Sequence, residues 1–222
     1  MSAWFVTATG TDIGKTFVTA GLIRHLRAQG KAVAALKPVV SGFAFETAAA
    51  SDPGQLLDAL GETVTPQAVA RLSPWRFAAP LSPDMAAARE GAVLPYDDIV
   101  AACREAIAQN RGTLFIEGVG GAMVPLDARH TVLAWMADLA LPTILVAGAY
   151  LGTISHTLTA LAAMASRGLV PSVLALNDTA NSPVSLSETA EAIRRFAPTV
   201  PIAAIPRNAT DGDFAALAAF LA

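Results

Sequence analysis

The sequence predicts a single α/β domain with a mostly parallel sheet and helices on both faces. Two observations support this fold class. Short apolar runs recur six times along the 222 residues, and helical patterns lie between them. Strands and helices that alternate in this way form parallel sheets, because right-handed crossover helices cover both faces of such a sheet. The hydrophobic content of 54% is enough for one substantial core, so we expect one domain over residues 1–222.

The predicted elements follow one another in a regular order. The six strands contain no charged side chains, which predicts burial on both faces, and they lie at 5–6, 32–36, 114–116, 144–147, 173–176 and 202–205. Helices are predicted at about 17–29, 96–109, 155–167 and 185–196. Open α/β sheets bind ligands at the carboxyl edge of their parallel strands. The residues that directly follow each strand are therefore the candidates for a functional site.

A phosphate-binding loop follows the first strand. Residues 8–16, with the sequence ATGTDIGKT, connect that strand to the first helix and end in Gly14, Lys15 and Thr16. In such loops the backbone N–H groups and the helix N-terminus bind nucleotide phosphates, the lysine contacts the terminal phosphates, and the hydroxyl ligates Mg²⁺. An ordinary helix start is the alternative. Because only three of the 15 basic residues are lysines, Lys15 favours the phosphate loop and a P-loop NTPase-like domain.

The other strand ends also carry polar or glycine residues, which we expect to converge on one crevice. They are Lys37 and Ser41 after the second strand, Glu117, Gly118, Val119 and Gly120 after the third, Asn177 and Asp178 after the fifth, and Pro206, Arg207 and Asn208 after the last. Packing alone does not explain so many polar side chains at one edge of a sheet.

Three charged side chains have a functional and a structural explanation. Glu117 is either a magnesium ligand beside the phosphate loop or a carboxylate that caps the next helix. Lys37 either acts in the site or extends to solvent from the strand end, and the scarcity of lysine favours the site. Asp52 lies in Ser51-Asp52-Pro53-Gly54, a composition typical of a turn or a helix N-cap.

Composition argues against several classes of protein. The net charge is −3, only 15% of the residues are charged, and the basic residues form no cluster, so a nucleic-acid partner is not expected. We expect no membrane span either, since the uncharged stretch between Asp138 and Arg167 is broken by Pro142 and Gly148. The start of the chain has no secretory signal pattern, which favours the cytoplasm. The single Cys103 excludes a disulfide framework and is expected to be buried.

Motifs along nearly the whole chain resemble those of the dethiobiotin synthetases. They are the loop at 8–16, Lys37-Pro38-Val39-Val40-Ser41-Gly42, Ser51-Asp52, the run at 77–83, Glu90-Gly91, the run at 117–121, the run at 151–156, Asn177-Asp178 and Ile205-Pro206. The resemblance implies that ATP drives closure of a cyclic urea from 7,8-diaminononanoate and CO₂. A carbamate and a carbamic-phosphoric anhydride are the implied intermediates, and ADP and phosphate are released.

The resemblance also implies roles for individual residues. Lys37, Lys15 and Thr11 would act on the reacting groups, and Thr16, Asp52 and Glu117 would ligate Mg²⁺, which reverses the compositional interpretation of Asp52. The implied ATP-site residues are Asp12, Ile13, Gly14, Lys15, Thr16, Phe17, Asp52, Glu117, Gly118, Val119, Gly120, Asn177, Asp178, Pro206, Arg207 and Asn208. The implied substrate-site residues are Ser41, Gly120, Gly152, Thr153 and Ser155.

A homodimer with the site at its interface is implied as well. The substrate carboxylate would lie at a helix N-terminus that matches residues 152–156, an arrangement that the helix dipole favours. The chain departs from the family pattern at Ser155, where asparagine is common, and at positions 8–11, where Ala-Thr-Gly-Thr replaces Gly-Thr-Asp-Thr.

Two alternative functions stay open at this stage. A small ATP-dependent amidoligase of the same fold usually carries a glutaminase domain, for which this chain lacks the length. A partition-type ATPase switch tends to have a second lysine in the phosphate loop, and residues 8–14 contain none.

Overall fold

The structure, a computed structural model, describes residues 2–179, 182 and 184–221. Within these residues the strands are β1 (Ser2–Ala8), β2 (Val33–Leu36), β3 (Val39–Ser41), β4 (Trp75–Phe77), β5 (Thr113–Glu117), β6 (Thr143–Gly148), β7 (Val173–Asn177) and β8 (Ile202–Ile205). Six of them form one parallel sheet in the order β2-β5-β1-β6-β7-β8. The short strands β3 and β4 pair separately, also in parallel. All six predicted strands therefore belong to the main sheet.

Nine helices of one α-helical turn or more accompany the strands in the described ranges. They are α1 (Lys15–Ala28), α2 (Asp52–Leu60), α3 (Pro66–Leu72), α4 (Pro83–Arg89), α5 (Tyr96–Gln109), α6 (Val132–Leu139), α7 (Thr153–Ala165), α8 (Leu186–Phe196) and α9 (Asp211–Ala218). Short 3₁₀ segments lie at Phe45–Ala50 and Ala219–Leu221. The four predicted helices correspond to α1, α5, α7 and α8. None of the helices described is long and apolar enough to cross a membrane.

Helices cover both faces of the sheet, as predicted. Alternate residues of β1 point to opposite faces, so that Val6 packs with α1, α2 and α9, while Phe5 packs with α5, α6 and α7. The ring of Phe5 lies edge-on to that of Trp135, with 4.9 Å between the centroids. Cys103 is buried in the same core as Phe5, and burial raises the pKa of its thiol to about 12.

The edge strands β2 and β8 correct the prediction that every strand is buried on both faces. Ala34 in β2 and Ala204 in β8 are exposed, because each of these strands lies at one end of the main sheet. Small apolar side chains cost little when they face water. An alanine-rich run therefore looks the same in the sequence whether it forms an edge strand or a central one.

The helix α9 packs against α1 through a close contact between Phe214 and Gly21. A Cβ atom on Gly21 would lie 2.0 Å from Cζ of Phe214, so the ring occupies the space of a missing side chain. We expect Gly21→Ala to lower the free energy of unfolding by about 1–3 kcal/mol. This destabilisation is opposite to the effect of helix propensity, which favours alanine over glycine by about 1 kcal/mol. Urea denaturation of the two proteins would measure the difference.

The same substitution in a Phe214→Ala protein separates the steric clash from the effect of helix propensity. In a Phe214→Ala protein the ring is absent, so adding Gly21→Ala should stabilise rather than destabilise, by up to about 1 kcal/mol. If Gly21→Ala stabilises the wild type as well, the contact between α1 and α9 is looser than the structure shows.

Candidate active site

The phosphate loop opens onto a cavity of about 620 Å³. The lining comes from five parts of the chain that the fold brings together: the phosphate loop, the ends of β2 and β3, the start of α2, a segment before α4, and the loop after β5. The lining residues are Thr11, Asp12, Gly14, Lys15, Thr16, Phe17, Lys37, Val40, Ser41, Asp52, Gln55, Pro80, Leu81, Ser82, Pro83, Val119, Gly120 and Val124.

Two left-handed residues and one asparagine fix the shape of the loop. Asp12 and Gly14 have φ angles of 57° and 96°, and Gly14 immediately precedes α1. Nδ2 of Asn177 donates a hydrogen bond to the carbonyl of Ile13 at 3.0 Å. A Cβ atom on residue 14 would lie 2.2 Å from this nitrogen, so glycine is required there for both reasons. Asn177 therefore supports the loop directly, a role that the sequence did not indicate.

The phosphate loop also lies against the turn that follows β5. A Cβ atom on Gly121 would lie 3.1 Å from Cα of Gly10, so the phosphate loop and the turn after β5 touch through their backbones. The amide of Ala122 donates to the carbonyl of Ala8 at 2.9 Å and ties the two segments together. Glycine at position 121 thus permits the close approach between the phosphate loop and the turn that follows β5.

Lys37, Glu117, Thr16 and Asp52 form a hydrogen-bonded cluster at the bottom of the cavity. Nζ of Lys37 and Oγ1 of Thr16 both donate to the same oxygen, Oε1 of Glu117, each at 2.7 Å. Nζ of Lys37 also donates to the carbonyl of Gly118 at 3.3 Å and lies 3.0 Å from Oδ2 of Asp52. The side chains of Lys37 and Glu117 are 1% and 0% exposed. Four separate elements therefore form one charged cluster, in which Lys37 and Glu117 are buried and the side chain of Asp52 is 44% exposed.

The charged side chains of this cluster shift one another's pKa values. Burial alone would lower the pKa of Lys37, but the carboxylates of Glu117 and Asp52 outweigh burial and raise it above its usual value. Burial would raise the pKa of Asp52, yet Lys37 holds it below the usual range. Lys37 is therefore a permanent cation, and Asp52 a permanent anion, at physiological pH.

The second oxygen of Glu117 fits a magnesium ion. Oε2 is buried and accepts no hydrogen bond from the described residues, a costly state for a carboxylate oxygen. Hydroxyl and carboxylate oxygens of Thr16, Asp52 and Glu117 are hard ligands of the kind that Mg²⁺ takes. Within the described ranges no group of three or more acidic, histidine or cysteine side chains forms a metal cage.

Lys15 is buried beside the phosphate loop and carries a perturbed amine. Its Nζ donates to the carbonyl of Gly10 at 3.2 Å. Burial, and then the positive charge of Lys37, lower the pKa of Lys15 to about 8. Phosphate oxygens of a bound nucleotide would replace part of the lost hydration and raise this pKa again.

We expect the affinity for Mg-ATP to fall as the pH rises above about 8. Below that pH the free protein already carries the Lys15 cation, whereas above it the protein must take up a proton on binding. The dissociation constant should then rise by up to about tenfold per pH unit until the pKa of the bound state is reached. Calorimetric titration from pH 7 to 9.5 would measure the constant and the proton uptake.

A Lys15→Arg protein is the matched control, because its guanidinium stays charged throughout this range. Its affinity should be lower but should depend less on pH. A wild-type dissociation constant that stays flat from pH 7 to 9.5, without proton uptake, would contradict the assignment.

The strand ends that we expected to meet in one crevice are divided among separate cavities. Thr11, Asp12 and Ile13 also border a cavity of about 460 Å³ with Tyr150 and His156. A third cavity, of about 1110 Å³, lies between β8 and α8 and is lined in part by Asp178 and Arg207. The physical reason is the strand order, since β7 and β8 lie on the far side of β1 from β2 and β5. These cavities adjoin one another, because the cavity with Tyr150 shares Thr11 and Asp12 with the one at the phosphate loop and shares Thr179 with the third.

The remaining predicted residues lie outside the cavity at the phosphate loop. Gly118 contributes its carbonyl to Lys37, whereas Pro206 and Asn208 line none of the three cavities. Gly152, with a φ angle of 98°, precedes α7, and the hydroxyl of Thr153 donates to the carbonyl of Gly148. Ser155 is exposed on the first turn of α7. The group at 152–155 is thus separate from the Lys37 cluster within one chain.

Two features of the site were not predicted correctly. Composition suggested that Asp52 begins a turn or caps a helix, but Ser51 is the cap of α2, since its Oγ accepts from the amide of Gly54 at 3.3 Å. Asp52 is the first helical residue, and its carboxylate is free to reach Lys37. The lining contributed by Pro80, Leu81 and their neighbours was also missed, because apolar and proline residues carry no chemical signal of a site.

The chain is similar in sequence to one family model and to several named proteins. A family model described as an AAA domain matches residues 2–211. The ATP-dependent dethiobiotin synthetase BioD of Acidiphilium cryptum is 50% identical over 202 residues, which are 90% of this chain and 91% of the relative. The BioD of Methylobacterium nodulans is 50% identical over 202 residues, 89% of this chain and 90% of the relative. The BioD of Phenylobacterium zucineum is 46% identical over 210 residues, 94% and 90% of the two chains.

Solved structures of low sequence identity share the fold. The MinC:MinD cell division protein complex of Aquifex aeolicus gives a TM-score of 0.59 at 11% identity, covering 96% of this chain and 85% of that chain. FtsY from Mycoplasma mycoides gives 0.55 at 15% identity, covering 99% and 68%. At these identities the likeness concerns the fold alone, which is that of P-loop NTPases.

Proposed function

The chain belongs to the AAA-domain family and, within it, to the ATP-dependent dethiobiotin synthetases, and we propose that its phosphate-loop cavity closes the urea ring of 7,8-diaminononanoate with CO₂. The chain is accordingly an ATP-dependent ligase. The observation that supports the assignment of the site is the buried cluster of Lys37, Glu117, Asp52 and Thr16 next to the phosphate loop. Such a cluster stabilises charge on a transferring phosphoryl group.

The reaction needs positioning and charge stabilisation rather than a protein nucleophile. One substrate amine bonds the carbon of CO₂ and loses a proton, which gives a carbamate. A carbamate oxygen then takes the γ-phosphoryl group, and ADP leaves. The second amine attacks the same carbon, the bond from carbon to the phosphate oxygen breaks, and phosphate leaves as the ring closes. Each step concentrates negative charge on oxygens, which fixed cations and N–H groups stabilise.

Lys37 and Lys15 supply these cations from two sides of the cavity. Lys37 keeps its proton because two carboxylates raise its pKa, and it is held by Glu117 and Asp52 without freedom to turn to solvent. It would stabilise the carbamate and the transferring phosphoryl group. Lys15 would hold the β- and γ-phosphates, with Thr11 beside the substrate. Because Lys15 and Lys37 are both buried, their charges act with less screening than they would in water.

Mg²⁺ would be held by Thr16, Asp52 and Glu117. The bound ion would supply a compact positive charge that offsets the negative charge of the nucleotide phosphates. The support for this assignment is Oε2 of Glu117, the buried oxygen without a partner in the described part of the chain.

The nucleotide base would lie toward β7 and β8. Nδ2 of Asn177 is already bonded to Ile13, while its Oδ1 is buried without a partner among the described residues. This oxygen would accept a hydrogen bond from the amino group of adenine. Asp178 and the residues at 206–208 follow the two neighbouring strands and would complete the base and ribose contacts.

The proposed active form is a homodimer in the cytoplasm, with no nucleic-acid partner. Ser41 and Gly120 line the cavity at the phosphate loop, but Gly152, Thr153 and Ser155 do not. A second chain would bring its own α7 N-terminus to this cavity and bind the substrate carboxylate there. Leu151 is 87% exposed beside that helix start, which suits a residue that a partner covers.

One experiment tests the reaction. Purified protein receives Mg-ATP and bicarbonate with and without 7,8-diaminononanoate, ADP release is measured, and mass spectrometry detects dethiobiotin. We expect ADP release that depends on the diamine and matches the amount of dethiobiotin. ATP hydrolysis that is indifferent to the diamine, without a urea product, would refute the proposal and favour an amidoligase or an ATPase switch of the same fold.

A further inference from the structure

One wall of the active-site cavity is an irregular segment, residues 78–83, which we call the proline wall. It connects β4 to α4, and four of its residues, at 80–83, line the cavity. Its sequence, AAPLSP, belongs to neither sheet. A segment of this kind keeps its position only through contacts that lie outside regular secondary structure.

The inner side of the proline wall rests on the residues that follow β3. The amide of Phe43 donates to the carbonyl of Phe77 at 3.0 Å, and the amide of Gly42 donates to the carbonyl of Ala79 at 3.1 Å. Gly42 has a φ angle of 71°, and a Cβ atom there would lie 3.2 Å from Cβ of Pro80. The wall is thus packed directly against the residue next to Ser41.

The outer side of the proline wall is tied by Glu90. Among the described residues β4 pairs only with β3, so the backbone amides on its other edge have no strand partner there. The amide of Ala78 donates instead to Oε1 of Glu90 at 2.8 Å. Glu90 follows the last residue of α4, and Gly91, with a φ angle of 69°, turns the chain away. One carboxylate therefore closes the loop from residue 78 to residue 90, which contains both the wall and α4.

We infer that Glu90 is a positioning residue for the diamine. This inference rests on the proposed function. The proline wall packs beside Ser41, at the β2 side of the phosphate loop, whereas Asn177 and the base contacts lie at the β7 side. Loss of the bond between Glu90 and Ala78 loosens the wall on the diamine side and leaves the nucleotide contacts in place. Glu90 itself touches neither substrate nor nucleotide, since it does not line the cavity.

The test separates the Michaelis constants of the two substrates. In Glu90→Ala we expect the KM for 7,8-diaminononanoate to rise about five- to tenfold, with kcat within about threefold and the KM for ATP unchanged. Glu90→Gln keeps a side-chain oxygen acceptor and should restore the diamine KM to within about twofold of wild type. Glu105→Ala is the matched control, because Glu105 is also exposed but bonds only Gln109 on its own helix in this structure.

A second measurement monitors the proline wall and does not depend on enzymatic activity. Hydrogen exchange of the peptide that contains residue 78 should be faster in Glu90→Ala than in wild type, and Glu90→Gln should restore its protection. Equal exchange in all three proteins would overturn the inference.

The kinetic measurements distinguish failure of this inference from failure of the proposed function. If wild-type protein shows no diamine-dependent ADP release, the proposed function fails and this inference falls with it. If wild type is active and Glu90→Ala has the same diamine KM, the inference alone is wrong. A parallel rise in both KM values with a lower melting temperature would assign Glu90 a general structural role and also overturn it.

Discussion

Replacement of Lys37 by methionine should reduce kcat by about 10²- to 10³-fold, the usual cost of removing a group that stabilises transition-state charge. Mg-ATP should still bind, because Lys15 and the backbone of the phosphate loop remain. Methionine is chosen because it fills most of the fully buried space that alanine would leave empty. Single-turnover ADP formation and a nucleotide-binding titration would separate the two effects.

The stability of this variant needs its own control. Removal of Lys37 leaves Glu117 as a buried carboxylate without its cation, and breaking a buried pair costs about 3–5 kcal/mol. A double variant with Lys37→Met and Glu117→Gln removes both charges, so it should recover much of the lost stability and stay inactive. Turnover close to wild type in either protein would remove Lys37 from the mechanism.

Glu117→Gln should raise the Mg²⁺ concentration for half-maximal activity on the order of 10- to 100-fold. Changes of this size follow when a residue that only supports a metal ligand is replaced, so the loss of a ligand itself should cost at least as much. Glutamine keeps an oxygen for the hydroxyl of Thr16 but loses the negative charge that the ion requires. The measurement is a Mg²⁺ titration of ADP release at fixed saturating ATP. Glu105→Gln, a surface change on α5, should leave the titration unchanged, and an unchanged curve for Glu117→Gln would refute the ligand assignment.

The main sheet could be predicted from the sequence because its strands are continuous apolar runs. The helices that were not predicted show no such clear pattern in the sequence. α6, with the sequence VLAWMADL, is apolar around most of its circumference, so it shows no helical periodicity. α2 starts with Asp52-Pro53-Gly54, residues that usually indicate a turn, although proline is also favoured in the first helical turn. The strands β3 and β4 have three residues each, too few to produce a pattern.

The types of residue at the site were predictable, but their contacts were not. A lysine or an acid at a strand end indicates a ligand edge in a parallel sheet, which is how Lys37 and Glu117 were recognised. The convergence of Lys37 and Thr16 on one oxygen of Glu117 depends on side-chain rotamers and on elements 80 and 101 residues away. The contact between Asn177 and Ile13 spans 164 residues and depends on the strand order. Such pairings are properties of the folded chain.

The charges around the cavity floor cancel. The amines of Lys15 and Lys37 are matched in number by the carboxylates of Asp52 and Glu117, which lie within hydrogen-bonding reach of Lys37 or Thr16. An electrically balanced floor offers little net attraction either to a free polyanion or to a free dication. It suits a ligand whose charge is partly neutralised, so magnesium enters most favourably as its complex with the nucleotide, which is less negative than the free nucleotide. Binding should accordingly depend only weakly on ionic strength.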